Sequence, residues 1–382
     1  VRLVRSSLER NEVTGHIRKL VESLFRNIPS GVGSKRKDLR LSQKELQKVL
    51  TQGAGWAVSQ DFGYKEDLEF IEERGCIEGA DPSLISNRAF ERGKPQLGTL
   101  GSGNHFVEVG YVDEVYDETS ARALGLFKDQ VTVIVHTGSR GFGHQVCDDY
   151  IRILMKSTQK YGIELPDRQL CCAPVSSKEG KQYLAAMAGA ANYAFANRQI
   201  IFHWVRETFE QIFQMSSERL GLRLIYDVCH NIAKIETHTV AGKEMKVCVH
   251  RKGATRAFPP HHPEIPEDYK EIGQPVLIPG DMGRYSYVLV GTEQAMAETY
   301  GSTCHGAGRV MSRKQAMKVS QGRPIIRELE DQGITIRSAG KATVREEIPE
   351  AYKDVSQVVE VVYGAGISRK VVRLRPMGVI KG

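Results

Sequence analysis

Five of the eleven histidines in this 382-residue chain, His105, His136, His230, His250 and His305, close or directly follow short segments rich in apolar, β-branched or glycine residues. Strand ends gather at one edge of a sheet, and polar groups delivered there beside glycine loops are a common way to assemble a site. A single strand-end histidine is more often a hydrogen-bonded structural residue than a ligand, but five at equivalent places shift that balance. Converging imidazoles repel one another once protonated, and neutral imidazole is the commonest protein metal ligand, so a divalent metal is the expected reason for gathering them. Within Thr303-Cys304-His305-Gly306-Ala307-Gly308-Arg309, His305 is expected to be the reactive group of a metal-dependent, nucleotide-handling centre.

Four glycine-rich loops supply the second signal: Gly101-Ser102-Gly103-Asn104, Thr137 to Gly143, Pro279-Gly280-Asp281-Met282-Gly283 and Gly306-Ala307-Gly308-Arg309. Glycine lets backbone N–H groups approach phosphate oxygens closely, and Arg140 or Arg309 would add paired donors. None of the loops is a Walker loop or a Rossmann fingerprint, and tight turns explain any one of them about as well. The third signal is Lys381, penultimate in a strand-like apolar tail, where a terminal lysine is ordinarily solvated surface.

The elements that must position these residues follow from composition and periodicity. With 41% apolar and 26% charged residues the chain can bury a sizeable core, as one large domain or two smaller ones. It has no apolar run near membrane-spanning length and no signal-peptide stretch at its start, which predicts a cytoplasmic protein with no membrane partner. A net charge of +7 is too mild for a dedicated nucleic-acid wrapper yet permits an anionic substrate. Seven cysteines without a CxxC pair read as reduced, mainly buried thiols. Apolar positions at helical spacing over residues 7–27 end at Pro29-Ser30-Gly31, followed by a basic loop from Gly33 to Lys37. A helix starts at Ser42, with Glu45 completing a capping box. From Gly98 the texture changes to strands and loops. A proline-free stretch over about 178–217 predicts one long or two consecutive helices. Strands are expected at 222–228, 246–250, 274–278 and 285–290, a proline-rich loop from Phe258 to Pro266, and alternating tail segments at 358–362 and 371–375. Val1 opens what looks like the interior of a strand, so an upstream segment is expected.

The sequence resembles the RtcB family of RNA ligases, which act in tRNA splicing and RNA repair. The resemblance is carried by Gly101-Ser102-Gly103-Asn104-His105-Phe106-Val107-Glu108, Val135-His136-Thr137-Gly138-Ser139-Arg140-Gly141, Asp227-Val228-Cys229-His230-Asn231, Val249-His250-Arg251-Lys252-Gly253-Ala254-Thr255, Cys304 to Arg309 and the terminal Gly378-Val379-Ile380-Lys381-Gly382. It implies an α+β fold over residues 1–382, with mixed and antiparallel sheets, a helical insertion at about 178–217 and the active site at one sheet edge. It further implies that His305 attacks the α-phosphate of GTP to form a histidine–GMP intermediate, and that His105, His136 and His230 are ligands for a pair of manganese ions. The family's guanylate contacts fall on Asn104, His105, Phe106, Val107, Glu108, His230, Asn231, Pro279, Gly280, Asp281, Met282, Ser286, His305, Gly306, Ala307, Gly308, Tyr352 and Lys381. A carboxylate such as Glu108 and a cation such as Lys381 would suit the donor and acceptor edge of guanine and disfavour adenine.

By the same resemblance, the guanylate passes to an RNA 3′-phosphate opened from a 2′,3′-cyclic phosphate, and a 5′-hydroxyl then displaces GMP. Arg140, Arg251, Lys252 and Arg256 are candidates for RNA phosphates from their charge beside the motifs, and archease is a candidate helper. The family places Asp-x-x-Cys-Gly, with two further metal ligands, immediately before the strand that opens here at Val1. The chain as given is therefore expected to hold metal weakly and ligate poorly alone while keeping the GMP pocket. A manganese-dependent phosphoesterase or nuclease, and a catalytically silent RNA- or nucleotide-binding fragment, are the alternatives.

Overall fold

The segment Gln130–His136 (QVTVIVH) has no exposed residue, and a run apolar on both faces belongs in the middle of a sheet covered on both sides. The computed structural model describes residues 1–36 and 38–382, so Lys37 of the expected basic loop lies outside the described residues. The strands, numbered along the chain, are β1 (Arg2–Glu9), β2 (Phe106–Val115), β3 (Gln130–His136), β4 (Arg223–Asp227), β5 (Asn231–Val240), β6 (Lys243–Lys252), β7 (Ala254–Arg256), β8 (Pro275–Ile278), β9 (Ser286–Gly291), β10 (Ser302–Cys304), β11 (Thr335–Ser338) and β12 (Ser368–Lys381). The main sheet runs β4-β1-β3-β2-β12-β9-β8, every neighbour antiparallel, and β11 adds to β12 in parallel. β5–β6 and β7–β10 form two small separate antiparallel pairs. With helices packed about these sheets the fold is α+β.

Alternation along the strands divides two apolar layers. Leu3, Phe106 and Ile134 face one side, where they share a core with Leu277, Val288, Ile325 and Leu329. Val4, Val107, Val133 and Val135 face the other, against Leu20 and Leu24 of the helix Ile17–Asn27 and Phe195, Phe202, Val205 and Phe209 of the helix Lys178–Phe213. Each such side chain taken from water contributes about 1.5–3 kcal/mol. The long helix begins at Ser177, whose hydroxyl accepts from the Gly180 N–H, and ends where Gln214 turns left-handed at φ 54°.

That helix also carries buried polar groups into the apolar layer. Arg206 grips Asp67 with two 2.7 Å bonds, and Gln199 donates to the same carboxylate at 2.8 Å while its oxygen accepts from Arg2 at 2.6 Å. Arg2 and Arg198 in turn donate to the fully buried Asp227 at 2.9 and 2.8 Å. Asn197 uses both ends of its amide, accepting from the Gly98 and Thr99 N–H groups and donating to the Thr99 and Gly138 carbonyls. Buried charges are tolerated because each is paired and hydrogen-bonded.

Several sequence expectations change. Residues 7–27 are not one helix: β1 continues to Glu9, and Arg10–Thr14 and Ile17–Asn27 are separate helices broken at Gly15. The alternating Val358–Val362 is helical, within Val355–Gly364, because Asp354 caps the start by accepting from the Ser356 N–H and Val355 and Val359 bury one turn apart. The Ser42–Glu45 capping box is present, with reciprocal bonds of 3.2 and 2.7 Å. All seven cysteines are free, but only Cys229 is buried and Cys147 is exposed.

Burial by itself would raise the Asp67 pKa, yet the bonds and charge of Arg206 outweigh it and hold the carboxyl below its ordinary value. A carboxylate whose folded pKa is depressed stabilises above its unfolded value and loses that contribution as pH falls. Asp67→Ala, which strands the buried Arg206, is expected to cost about 3–5 kcal/mol in urea unfolding near pH 7. The gap from the unsubstituted chain should narrow as pH drops below about 4; a gap constant down to that range would contradict this account.

Candidate functional site at the sheet edge

Register places the first site residues in one row. On β2, Phe106 pairs with His136, the last residue of β3, and on its other side with Lys381, the last residue of β12. His105 immediately precedes β2, His230 lies between β4 and β5, and His305 follows β10, held by its N–H to the Gly253 carbonyl at 3.2 Å. The ligating atoms of His136, His230 and His305 all lie within 4.8 Å of one another. The His230 and His305 rings stack at 3.6 Å, and His136 stands edge-on to them at 5.2 and 5.3 Å. His105 meets His136 edge-on at 5.8 Å, outside that tight triad. His250 is not part of the cluster: it sits within the β5–β6 hairpin, exposed, with its Nε2 3.6 Å from the Cys248 sulfur.

Both ring nitrogens of His136 and of His305, and Nδ1 of His105, are buried without a hydrogen-bond partner. An orphaned buried polar atom is costly, and several in one place mark a site built to hold a ligand. Burial drives the His305 pKa down to about 3, with the Lys252 ammonium adding to it. Burial also lowers His105 to about 3, helped by Arg140 and Lys381. His136 and His230 fall well below the ordinary range through burial and then through neighbouring imidazoles. Neutral, unpartnered imidazoles are the ligand form of histidine, so these residues fit a divalent cation such as manganese. Gly101 makes room for one of them: a Cβ there would stand 2.0 Å from the His105 Nδ1.

A cleft of about 420 Å³ opens beside the triad. Asn104, Phe106, Glu108, His136, His230, Asn231, Pro279, Gly280, Asp281, Met282, His305, Gly306, Ala307, Gly308, Tyr352 and Lys381, all candidates from the motifs, line it together with Lys252. Glu108 is buried, and burial followed by the nearby Asp281 carboxylate raises its pKa to about 8. Lys381 is also buried, which lowers it to about 8, and its ammonium donates to the Gly103 carbonyl at 2.8 Å. The Pro279–Met282 loop is shaped by Ser286, whose hydroxyl accepts from the Gly280 N–H at 3.1 Å, and by Asp281, which accepts from the Gly283 and Arg284 N–H groups at 3.0 Å. Ser286 thus stands behind the loop and does not line the cleft. Val107 points its side chain into the opposite apolar layer, leaving only its backbone near the site.

Two of the four arginine and lysine candidates for RNA phosphates need correction. Arg251 is 1% exposed and donates to Glu236 at 2.8 Å and Ser302 at 2.9 Å. Arg256 is equally buried, against Gln274 at 2.9 Å and Glu264 at 2.5 Å. Their charges are spent inside the protein, because alternation along β6 and the β7–β10 pairing turn both side chains inward. Arg140 is mostly committed to Thr99, the Gly31 carbonyl and Ser34, each at 2.9 Å. Lys252 remains exposed at the cleft. Arg309, and Gly253 and Val379 of the quoted motifs, also line the cleft, as do Arg313 and Glu347, which had not been singled out. No local pattern marked Arg313 or Glu347, which lie in segments whose charges look like ordinary solvated surface.

The fold and the site define an α+β protein with a candidate histidine metal centre at a sheet edge, opening on a cleft of glycine loops. The family model for the tRNA-splicing ligase RtcB matches residues 1–382, and the chain belongs to that family. It is 57% identical over 382 residues to the tRNA-splicing ligase RtcB of Archaeoglobus fulgidus and 56% identical to that of Thermococcus kodakarensis, covering all of this chain and 79% of each relative. It is also 56% identical over 382 residues to the protein of the same name from Methanocaldococcus jannaschii, of which it spans 39%.

Manganese titrated into the purified chain is expected to bind at the histidine cluster of His105, His136 and His230, measured by calorimetry. His136→Ala should weaken that binding by at least about tenfold, since losing a ligand costs no less than losing its outer-shell support; unchanged affinity would place the metal elsewhere.

Proposed function

We propose that the chain is the catalytic unit of a GTP- and manganese-dependent RNA ligase, acting in tRNA splicing and RNA repair. It joins 3′-phosphate or 2′,3′-cyclic phosphate ends to 5′-hydroxyl ends. The observation that carries the reading is His305 itself: a neutral, buried imidazole with neither nitrogen hydrogen-bonded, set in a glycine loop that lines the cleft shared with Glu108 and Lys381. Such a nitrogen is a competent nucleophile near pH 7. Manganese at His105, His136 and His230 would supply positive charge to phosphate oxygens.

In this reading His305 forms a P–N bond to the α-phosphorus of GTP as the bond to pyrophosphate breaks. Phe106 and the Gly306–Gly308 backbone wall the nucleotide, while Glu108 and Lys381 receive the guanine edge. The RNA 3′-phosphate then takes the guanylate, breaking the P–N bond, and a 5′-hydroxyl attacks the activated 3′-phosphate and releases GMP. Lys252 is the cation best placed for an RNA phosphate. The partners are broken RNA ends or tRNA halves and GTP, with archease a candidate helper. No helix of the described residues is long and apolar enough to cross a membrane.

One observation favours a second reading. The tight triad contains His305 and leaves His105 out, the arrangement expected if His305 were a metal ligand of a manganese-dependent phosphoesterase. A covalent adduct decides between them. With α-labelled GTP and manganese, the chain should acquire a label that is stable to alkali, labile to acid and absent from His305→Ala. Metal binding with no adduct would favour hydrolysis.

A further inference from the structure

Glu347 lies just past the helix Lys341–Glu346 and is 1% exposed, yet it lines the cleft. Its two oxygens face two different parts of the wall. One accepts from Arg309 at 3.1 Å, and the other accepts from the Tyr352 hydroxyl. Arg309 also donates to the Tyr352 oxygen at 3.0 Å, while its remaining nitrogens reach the Glu346 and Met311 carbonyls at 2.7 and 3.1 Å. The backbone repeats the link: Arg309 and Tyr352 form a bridge, and the Lys353 N–H donates to the Gly308 carbonyl at 3.0 Å. Arg309, placed in a glycine loop like a phosphate donor, is therefore a strut. The Tyr352 hydroxyl donates its one hydrogen bond to Glu347, so it has none to offer a ligand.

We infer that Glu347 is a positioning residue for the nucleotide, fixing Tyr352 and the Gly306–Arg309 loop as one wall, which Tyr352 presents through its ring. The inference rests on the guanylate reading of the cleft. A buried carboxylate shared by an arginine and a phenol is a rigid junction, and removing it takes a bond from both partners at once. The backbone bridge would remain, but the Tyr352 side chain would lose the bond that fixes it against the loop that carries His305.

The test measures GMP binding by calorimetry, with manganese present, on the full chain. Glu347→Ala should weaken GMP binding about tenfold, the size of one charge-assisted hydrogen bond. Glu347→Gln, which keeps an acceptor oxygen, should recover most of that loss. Tyr352→Phe should weaken binding in the unsubstituted background and add nothing in Glu347→Ala, because both changes cut the same bond. Melting temperature checks the fold. If Glu347→Ala proves unfolded, Tyr352→Phe is read alone: cutting the Tyr352–Glu347 bond should weaken GMP binding measurably, and full GMP affinity in that variant would overturn the inference. Full GMP affinity in the Glu347 variants, or losses that simply multiply, would overturn the inference while leaving the guanylate reading intact. An unsubstituted chain that binds no GMP would overturn both.

Discussion

The buried carboxylate of Asp227 is the constraint on which the rest of the site depends. It stands at the end of β4, three residues before His230, and has no contact with water. A carboxylate there is tolerable only with charged partners in good geometry, and it has two. Arg2 comes from β1, and Arg198 comes from the long helix and also donates to the Thr137 carbonyl at 3.1 Å, one residue past His136. Burial would raise the Asp227 pKa, but Arg198 and Arg2 pull it below the ordinary range, so the group stays charged and the junction stays closed. The heights of β4, β1 and β3 along the sheet are thereby tied to one helix. Two of the clustered imidazoles hang from those strand ends.

The same helix governs the glycine loops. Asn197 bonds to the backbone on both sides, joining Gly98–Thr99 to Gly138. Arg140 closes the other flank, against Gly31, Ser34 and Thr99. Its φ of 56° lies in the left-handed region that a non-glycine residue enters at a cost. Loops so restrained can leave buried nitrogens unpartnered without collapsing onto them. That arrangement costs stability at the site.

Much of the fold was legible locally. The Ser42 capping box and the long helix are determined by neighbours in the chain, through caps and propensity, and so appear where periodicity puts them. The alternating segment 358–362 reads two ways, because Val358, Val359, Val361 and Val362 satisfy a strand pattern as well as a helix stripe. The cap at Asp354 and the burial of Val355 and Val359 decided for the helix. Arg251 and Arg256 looked like phosphate ligands because charge beside a motif is indistinguishable in sequence from charge beneath one. Their acidic partners, Glu236 and Glu264, lie on separate segments that only pairing brings close.

By itself the sequence determined the kinds of chemistry available: imidazoles at segment ends, glycines where backbone must come close, an acid and a lysine in otherwise apolar strands. Residue type and spacing are properties of the chain, and they suffice to say that a site exists and to relate it to a family. Tertiary structure decided which of those groups share a site. It gathered His136, His230 and His305 more tightly than His105, left His250 on a hairpin, and brought Glu347 between Arg309 and Tyr352. Those outcomes depend on strand register, and a shift of one residue moves every side chain to the other face. Register is set by burial across the whole sheet, which no single segment carries.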